Sequence, residues 1–212
     1  MNTNSFKMLD FLRVAGELKD LERFRGQFFW DKYPERARYE SVADHTWRMT
    51  LFLVLVEKSL SQPLDLSRAL KMALVHDLPE IIVGDASPLG SDGTGNDSHA
   101  FNTEKARDRH QNEKESARTI FSKLPEALAT ELYDVWIEYE AQESFESKVV
   151  KAIDKLEAKI QVSEYLQGAM FPEHLAFNLT YGVDALEVDP VIKEIGEIVL
   201  SEMKAKYTEF KL

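Results

Sequence analysis

The chain has 212 residues, 44% of them hydrophobic and 30% charged, and its formal net charge at pH 7 is −11. This length suits a single domain with a substantial core, and the acidic excess argues against a general surface for nucleic-acid polymers, which needs a basic footprint. The absence of cysteine excludes disulfides and thiolate-bound zinc, and without a membrane-length apolar run or a signal-peptide layout we expect a cytoplasmic protein with no membrane contact.

Apolar residues recur mostly at helical spacing, which predicts an all-α fold built as one domain. A first helix is expected at about 5–18, with Phe6, Leu9 and Leu12 at core spacing. The next segment, 20–39, is rich in aromatic and basic side chains. It is expected to form an irregular connection that covers a site.

Two helices are expected to carry the first histidines of the chain. Ser41 fits the N-cap of a long helix, which places His45 in the first or second turn. A further helix, opened by Pro63, ends near His76 and Asp77. Adjacent residues on a helix point about 100° apart, which suits neighbouring positions around one metal ion.

The rest of the chain continues the helical pattern after one polar interruption. Pro79 is expected to start a short turn that Gly84 and Asp85 close, before a flexible loop rich in Gly, Ser, Asp and Asn. That loop lies at about 90–102, and the later helices are expected at about 103–123, 125–142, 144–167 and 190–207, the last capped by Asp189.

Six side chains suited to metal binding are scattered along the chain: His45, His76, Asp77, Glu80, Asp85 and Asp154. They meet only if several helices fold back on one another, and they then offer two imidazoles and several carboxylates to one divalent ion. Such ligands suit Mn, Co, Fe, Zn or Mg. Asp154 lies on the shoulder of an apolar stripe, where a carboxylate is costly to bury unless it is paired or metal-bound. For this residue alone, an ion pair with an arginine, or exposure near Lys151 and Lys155, is the alternative.

Three stretches of sequence carry a resemblance to a known family: Glu40-Ser41-Val42-Ala43-Asp44-His45, then His76-Asp77-Leu78-Pro79-Glu80 running on to Gly84-Asp85, and Asp154-Lys155-Leu156-Glu157-Ala158. A lone His, a His-Asp pair and a distant Asp in this order resemble the HD superfamily of metal-dependent phosphohydrolases, and within it the 5′-deoxynucleotidases. The resemblance covers about 9–165. It implies an HD-type helical bundle, with 1–212 as one domain and a metal site between helices.

The same resemblance implies roles for individual residues. The metal ligands would be His45, His76, Asp77 and Asp154. The acid–base pair, or else the ligands of a second and weaker Mg or Mn, would be Glu80 and Asp85. The phosphate would be held by Arg23, with Arg25 as the alternative, and the 2′ position of the sugar would be crowded by Phe24.

The sequence therefore predicts a hydrolase that removes the 5′-phosphate from (deoxy)nucleoside monophosphates by means of a metal-activated water. Hydrolysis of another nucleotide bond (triphosphate, cyclic or alarmone) stays open, and so does a non-catalytic nucleotide- or metal-binding regulator. A di-iron oxygenase that recruits His99 and His110 is a further alternative, although the polar neighbours of His110 favour its exposure. The apolar residues of the helix from Pro190 suit core packing, and also a homodimer contact.

Overall fold

The computed structural model describes residues 3–24, 38–166 and 169–209. Within these ranges the fold is almost wholly helical, which confirms the predicted all-α class. The helices are α1 (Thr3–Ala15), α2 (Val42–Val56), α3 (Leu66–Val75), α4 (Glu80–Val83), α5 (Thr103–Phe121), α6 (Glu126–Ala141), α7 (Phe145–Leu166), α8 (Pro172–Asn178) and α9 (Pro190–Lys206). Short 3₁₀ segments lie at Gly16–Lys19, Glu57–Ser59 and Asp184–Val188. Most of the predicted connection at 20–39, including Arg25, lies outside the described residues.

Side-chain caps set two of the helix starts. The Ser41 hydroxyl accepts a hydrogen bond from the Asp44 backbone N–H, and the Asp44 carboxylate accepts one from the Ser41 N–H, so a capping box opens α2. Asp189 caps α9 by accepting from Val191, and its second carboxylate oxygen accepts from Ser61. Both predicted helix starts are confirmed.

Helix α7 lies at the centre of the bundle, where it packs against α2, α3, α6 and α9. Its residues Val149, Ile153 and Leu156 are fully buried, in agreement with the predicted apolar stripe. Asp154 and Glu157 on the same helix are buried as well. Buried carboxylates need a cation or a hydrogen-bond donor beside them, so α7 brings two demanding charges into the interior.

Helix α1 differs from the prediction in the face that it buries. Phe6, Leu9 and Leu12, which were expected at the core, are exposed, and Leu12 shows 65% of its surface. Phe11 is buried instead, with its ring centroid 6.3 Å from that of Phe121. Helical spacing identifies an apolar stripe but not the element that covers it, and here α5 covers a neighbouring face of α1.

The polar loop at 90–102 is irregular, as predicted, but hydrogen bonds close its turns. The Asp97 carboxylate accepts from the backbone N–H of Ser91, and the Ser98 hydroxyl donates to the carbonyl oxygen of Gly95. These bonds argue against the flexibility that the composition of the loop suggested.

Apart from α9, the sequence did not predict the elements that follow α7. Strands β1 (Ala169–Met170) and β2 (Thr208–Glu209) pair in parallel, and α8 lies directly after β1. Two-residue strands and a seven-residue helix are too short to leave a periodic apolar pattern. None of the helices in the described ranges combines the length and the apolar character needed to cross a bilayer.

Candidate metal centre and cavity

His45 lies near the start of α2, and its side chain is fully buried. Its Nδ1 hydrogen-bonds to the Glu157 carboxylate, and its Nε2 lies 3.3 Å from Asp154 Oδ1. Burial alone would raise the pKa of Glu157, but His45, Arg23 and Arg48 lower it to about 2. An ionised carboxylate only accepts hydrogen bonds, so Nδ1 is the nitrogen that donates. The ring is thereby held with Nε2 directed toward Asp154.

His76 closes the C-terminal end of α3, with its ring centroid 5.7 Å from that of His45. Its Nδ1 lies 2.9 Å from the carbonyl oxygen of Ala73, which only accepts, so the neutral ring keeps a lone pair on Nε2. The backbone carbonyl of His76 accepts from Trp136 Nε1 at 3.1 Å, which ties α3 to α6. Asp77 Oδ2 lies 3.0 Å from His76 Nε2 and 3.9 Å from His45 Nε2.

The Nε2 atoms of His45 and His76 are buried and make no hydrogen bond to the described part of the chain. Ligand atoms of His45, His76 and Asp154 lie within 4.8 Å of one another, and the Asp77 carboxylate is adjacent to both rings. Buried nitrogens without hydrogen bonds are costly, and nitrogens that converge with carboxylate oxygens form the ligand set of a divalent transition metal. The residues present therefore fit such an ion.

A second group of close donor atoms, from Glu40, His45 and Glu157, is filled by guanidinium groups. Arg23 donates to Glu40 at 2.8 Å, and Arg48 Nε donates to Glu157 at 2.7 Å. Arginine is always charged, so these carboxylates already have their cations. This network supports His45 on the side of Glu157, which we call the inner side, and it is not a metal site.

Asp154 and Asp77, the two aspartates next to the histidines, have lowered pKa values even though burial opposes this. Burial alone would raise the pKa of Asp154, but the Nζ atoms of Lys155 and Lys151, 3.2 and 3.4 Å from its Oδ2, hold it well below the usual range. The pKa of Asp77 is also lowered despite burial, chiefly by His76. Carboxylates must be deprotonated to bind a metal ion, so both are in the binding form.

Glu80 begins α4, one helical turn after Asp77, and is buried. Its Oε1 accepts from Arg109 at 3.2 Å, whereas its Oε2 is buried with no hydrogen bond to a described residue. Burial, together with the charges of Asp77 and Asp85, raises the pKa of Glu80 well above its usual value. Burial also raises the pKa of Asp85. The residue before it, Gly84, has a φ of 80°. Carboxyl groups with raised pKa values are suited to proton transfer.

Arg23 and Phe24 lie next to each other at the edge of the cavity. The Arg23 backbone N–H donates to the Glu40 carbonyl oxygen at 2.8 Å, and its guanidinium contacts the carboxylates of Glu40 and Glu157. Phe24 adopts a φ of 67°, in the left-handed region that side chains other than glycine rarely occupy. Backbone strain of this kind clusters at binding sites, because the surrounding structure must hold it.

One cavity, with a volume of ≈ 250 Å³, connects these groups. Every predicted site residue lines it except His45, which lies behind the others. Arg109, Lys151 and Lys155 line it as well, and Phe177 of α8 contributes an aromatic wall. The cavity therefore joins a set of carboxylates and imidazoles to a set of cations.

His99 and His110 also line the cavity, but they have other partners. Arg109 lies 2.6 Å from His99 Nε2, and burial together with this guanidinium lowers the pKa of His99 to about 3. His110 is exposed, as its neighbours suggested, and its Nδ1 lies 2.8 Å from Glu140. Within the described ranges, neither belongs to a cluster of close ligand atoms. The geometry thus does not favour the di-iron alternative.

Sequence reasoning missed the charged residues around the predicted set: Arg48, Arg109, Lys151, Lys155 and Glu157. Glu157 was detectable, because it follows Asp154 by three residues and helical spacing puts the two on neighbouring faces. In the sequence, Lys151 and Lys155 indicate only that Asp154 could be exposed. In the structure, Asp154 is 8% exposed and forms an ion pair with each of the two lysines. No local pattern marks Arg109, whose partner Glu80 is far away in sequence.

Fold and cavity together define a helical protein whose buried imidazoles and carboxylates fit a divalent metal ion. A family profile for the HD domain matches residues 17–196, and the chain belongs to the HD domain family. It is 39% identical to 5′-deoxynucleotidase HDDC2 of Homo sapiens over 158 residues, which cover 74% of this chain and 68% of that protein. It is 33% identical to 5′-deoxynucleotidase HDDC2 of Dictyostelium discoideum over 162 residues, 74% of this chain and 76% of that protein.

These relatives are hydrolases by name, which confirms the prediction of an enzyme of that class. Family membership also implies a divalent metal ion. Among solved structures, a predicted metal-dependent phosphohydrolase from Magnetospirillum magnetotacticum superposes with a TM-score of 0.70 at 19% identity, covering 97% of each chain. An HD-domain phosphohydrolase from Listeria innocua gives a TM-score of 0.69 at 18% identity over 93% of this chain and 90% of that one. Both likenesses show the fold.

Proposed function

We propose that the chain is a metal-dependent 5′-deoxynucleotidase, which removes the 5′-phosphate from deoxynucleoside monophosphates. The observation that carries the proposal is the convergence of two buried Nε2 atoms, from His45 and His76, with Asp154 beside a cavity lined by Glu80 and Arg23. The names of the curated relatives support the substrate class.

In this proposal the metal ligands are His45, His76, Asp77 and Asp154. A divalent ion held there polarises a phosphoryl oxygen and lowers the pKa of a bound water. Two imidazoles and two carboxylates accept Mn, Co, Fe, Zn or Mg, so the metal's identity is a matter for experiment. Glu80 and Asp85 have an alternative use as ligands of a second, weaker metal.

Glu80 is the proposed proton donor to the departing 5′ oxygen. Arg109 binds Oε1, which leaves Oε2 as the oxygen that carries the proton. The raised pKa of Glu80 keeps this carboxyl group neutral at a higher pH than an exposed glutamate. Asp85, on the turn after α4, is the proposed acceptor for the proton of the attacking water.

Arg23 and Phe24 are the proposed contacts to phosphate and sugar. Arg23 lines the cavity while Glu40 and Glu157 hold its guanidinium, so its position is fixed before substrate binds. The strained backbone of Phe24 holds an aromatic side chain against the same cavity. A bulky ring beside the sugar leaves less room for a 2′-hydroxyl, which supports a preference for deoxyribose.

The deciding experiment is phosphate release from a panel of deoxy- and ribonucleoside monophosphates, with Mn, Co or Mg added to metal-stripped protein. We expect metal-dependent turnover that favours the deoxy substrates. His76→Ala should lower the rate roughly 10³-fold, since several kcal/mol of metal-ion stabilisation would be lost. Lys148→Ala, on the exposed face of α7 and outside the cavity lining, is the control and should keep wild-type activity.

Other outcomes would favour the alternatives. A flat screen with all three metals contradicts the nucleotidase proposal. Release of pyrophosphate or triphosphate would indicate a different nucleotide bond, and tight binding without turnover that Glu80→Ala leaves unchanged would indicate a regulator. Consumption of O₂ by Fe-loaded protein that His99→Ala and His110→Ala abolish would favour the di-iron oxygenase alternative. Analytical ultracentrifugation tests the proposed homodimer separately.

A further inference from the structure

We infer that Lys151 and Lys155 of α7 bind the phosphoryl group of the substrate directly, as a cationic pair beside the metal centre. The inference rests on the proposed function for the identity of the anion, a phosphate monoester. It goes beyond that function by assigning substrate binding to two residues for which the family resemblance implies no role. These two residues are called the lysine pair below.

The lysine pair is positioned by helical spacing. Lys151 and Lys155 are four residues apart on one face of α7, and both line the cavity. Lys151 Nζ lies 3.0 Å from the Tyr139 hydroxyl, and the Nζ atoms of Lys151 and Lys155 lie 3.4 and 3.2 Å from Asp154 Oδ2. The other oxygen of Asp154 faces His45. The two ammonium groups therefore lie on the cavity side of Asp154.

Charge balance distinguishes the lysine pair from the other cations of the cavity. Within the described ranges its two ammonium groups share one carboxylate, that of Asp154. Arg109 has the reverse arrangement, because one guanidinium contacts the two carboxylates of Glu80 and Glu113. Two cations against one anion leave a surplus positive charge at the lysine pair, which is where an arriving anion is attracted most strongly.

Donor capacity supports the same assignment. An ammonium group has three N–H donors, and the side chains of Lys151 and Lys155 are 32% and 21% exposed, so each has donors directed to the cavity. Arg23 already contacts two carboxylates, those of Glu40 and Glu157, so its charge is balanced before an anion arrives. The lysine pair has the larger unbalanced charge, and it can follow the phosphoryl oxygens because lysine stems are flexible.

A purely structural role for the lysine pair makes a different prediction. If the two ammonium groups only neutralise Asp154, removing one would change the metal affinity and leave the affinity for phosphate on the loaded protein unchanged. If they bind the phosphoryl group, phosphate affinity falls while the metal stays bound. The two roles are therefore separable by measuring two ligands on one protein.

The test uses the full chain loaded with Mn, with inorganic phosphate as the probe in titration calorimetry. Lys151→Met and Lys155→Met each remove one charge, and Lys148→Met on the exposed face of α7 is the matched control. Each cavity variant should weaken phosphate binding about tenfold or more, the usual effect of losing a charge-assisted hydrogen bond. Metal content should stay at the wild-type value, and Lys151→Arg should recover most of the affinity. Circular dichroism checks that each variant folds.

The outcomes separate this inference from the proposed function. Wild-type phosphate affinity in both Met variants would overturn the inference, even if the protein hydrolyses monophosphates. Loss of metal with unchanged phosphate affinity would also overturn it and assign the lysines to Asp154 alone. If no monophosphate is hydrolysed but inorganic phosphate binds and the variants weaken it, the lysine pair stands and the nucleotidase proposal fails. Should either Met variant unfold, Lys151→Gln tests the less buried member of the pair.

Discussion

Helix α7 presents two carboxylates to His45 from two sides, and their surroundings differ. Asp154 lies on the cavity side, where the lysine pair neutralises it. Glu157 lies on the inner side, is fully buried, and is held by Arg23 and Arg48. One histidine is thus fixed between a lysine-bound and an arginine-bound carboxylate.

The difference lies in which charge is in excess. On the inner side, two guanidinium groups contact the buried carboxylates of Glu40 and Glu157, and Arg48 also contacts the exposed Glu164, so no positive charge is in surplus among the described residues. On the cavity side, two ammonium groups contact one carboxylate. Planar guanidinium groups fix geometry, whereas lysine stems adapt. The inner side is therefore suited to hold the histidine, and the cavity side to receive an anion.

Replacing the cavity-side carboxylate should have the largest effect. Asp154→Asn keeps the shape of the side chain but removes its charge, so the proposed metal loses an anionic ligand and the lysine pair loses its counter-ion. We expect phosphate release to fall about 10³-fold together with metal content, measured by elemental analysis. Asp134→Asn, on the exposed surface of α6, is the control. A variant that binds metal normally would contradict the ligand assignment.

Replacing the inner-side carboxylate should have a smaller effect on activity and a clear effect on stability. Glu157→Gln removes the anion that fixes His45 Nδ1, and metal affinity should fall roughly 10- to 100-fold. It also removes a buried carboxylate that Arg23 and Arg48 share, which should lower the free energy of unfolding by about 3 kcal/mol. Glu164→Gln removes an exposed partner of Arg48 and should cost about 1 kcal/mol or less. Equal losses in the two variants would show that burial of Glu157 has no special weight.

Lys159 lies one helical turn after Lys155 on α7. Unlike the lysine pair, it has no carboxylate partner among the described residues. Its Nζ donates to the carbonyl oxygens of Asn178 and Tyr181 at 2.8 Å, and burial, then Lys155, lowers its pKa to about 7. The ordinary lysine pKa is about 10.4, so between about pH 7 and 10 the unfolded chain binds a proton that the folded chain has released. Stability contributed by this group therefore rises with pH in that window.

The measurement is the free energy of unfolding in urea from about pH 7 to 9 for wild type and Lys159→Met. The wild type should gain about 2 kcal/mol relative to the variant across the window, because a difference of one bound proton changes stability by about 1.4 kcal/mol per pH unit. Lys148→Met removes an exposed lysine of the same helix and is the control, whose stability should follow the wild-type curve. Parallel curves for wild type and Lys159→Met would show that Lys159 stays charged.

Local signals explain how much of the fold was predictable. Ser41 and Asp189 are capping residues whose partners lie two or three positions away, so the sequence alone places the starts of α2 and α9. The burial of Val149, Ile153 and Leu156 follows from one period along α7. The face of α1 that packs against Phe121 was not predictable, because the partner is remote in sequence.

The same distinction applies to the site. The sequence selects His45, His76, Asp77, Glu80, Asp85 and Asp154 by residue type and order, and the structure brings them to one cavity and its inner wall. Their roles as ligands or proton carriers stay predictions until they are measured. Arg48 could not be found in this way, because its pairing with Glu157 depends on where α7 lies. For Arg23 the resemblance implied a phosphate contact, but its pairing with Glu157 is visible only in the structure.

The hydrogen bond from Trp136 to the backbone carbonyl of His76 has an optical consequence. Its indole is fully buried, whereas Trp47 on α2 is 66% exposed, so the two should emit at different wavelengths. In a Trp30→Phe background, a soluble quencher such as iodide would quench Trp47 and leave the signal of the indole next to the candidate metal centre. That fluorophore lies one hydrogen bond from His76, so loading of the site with Co or Mn should change its emission.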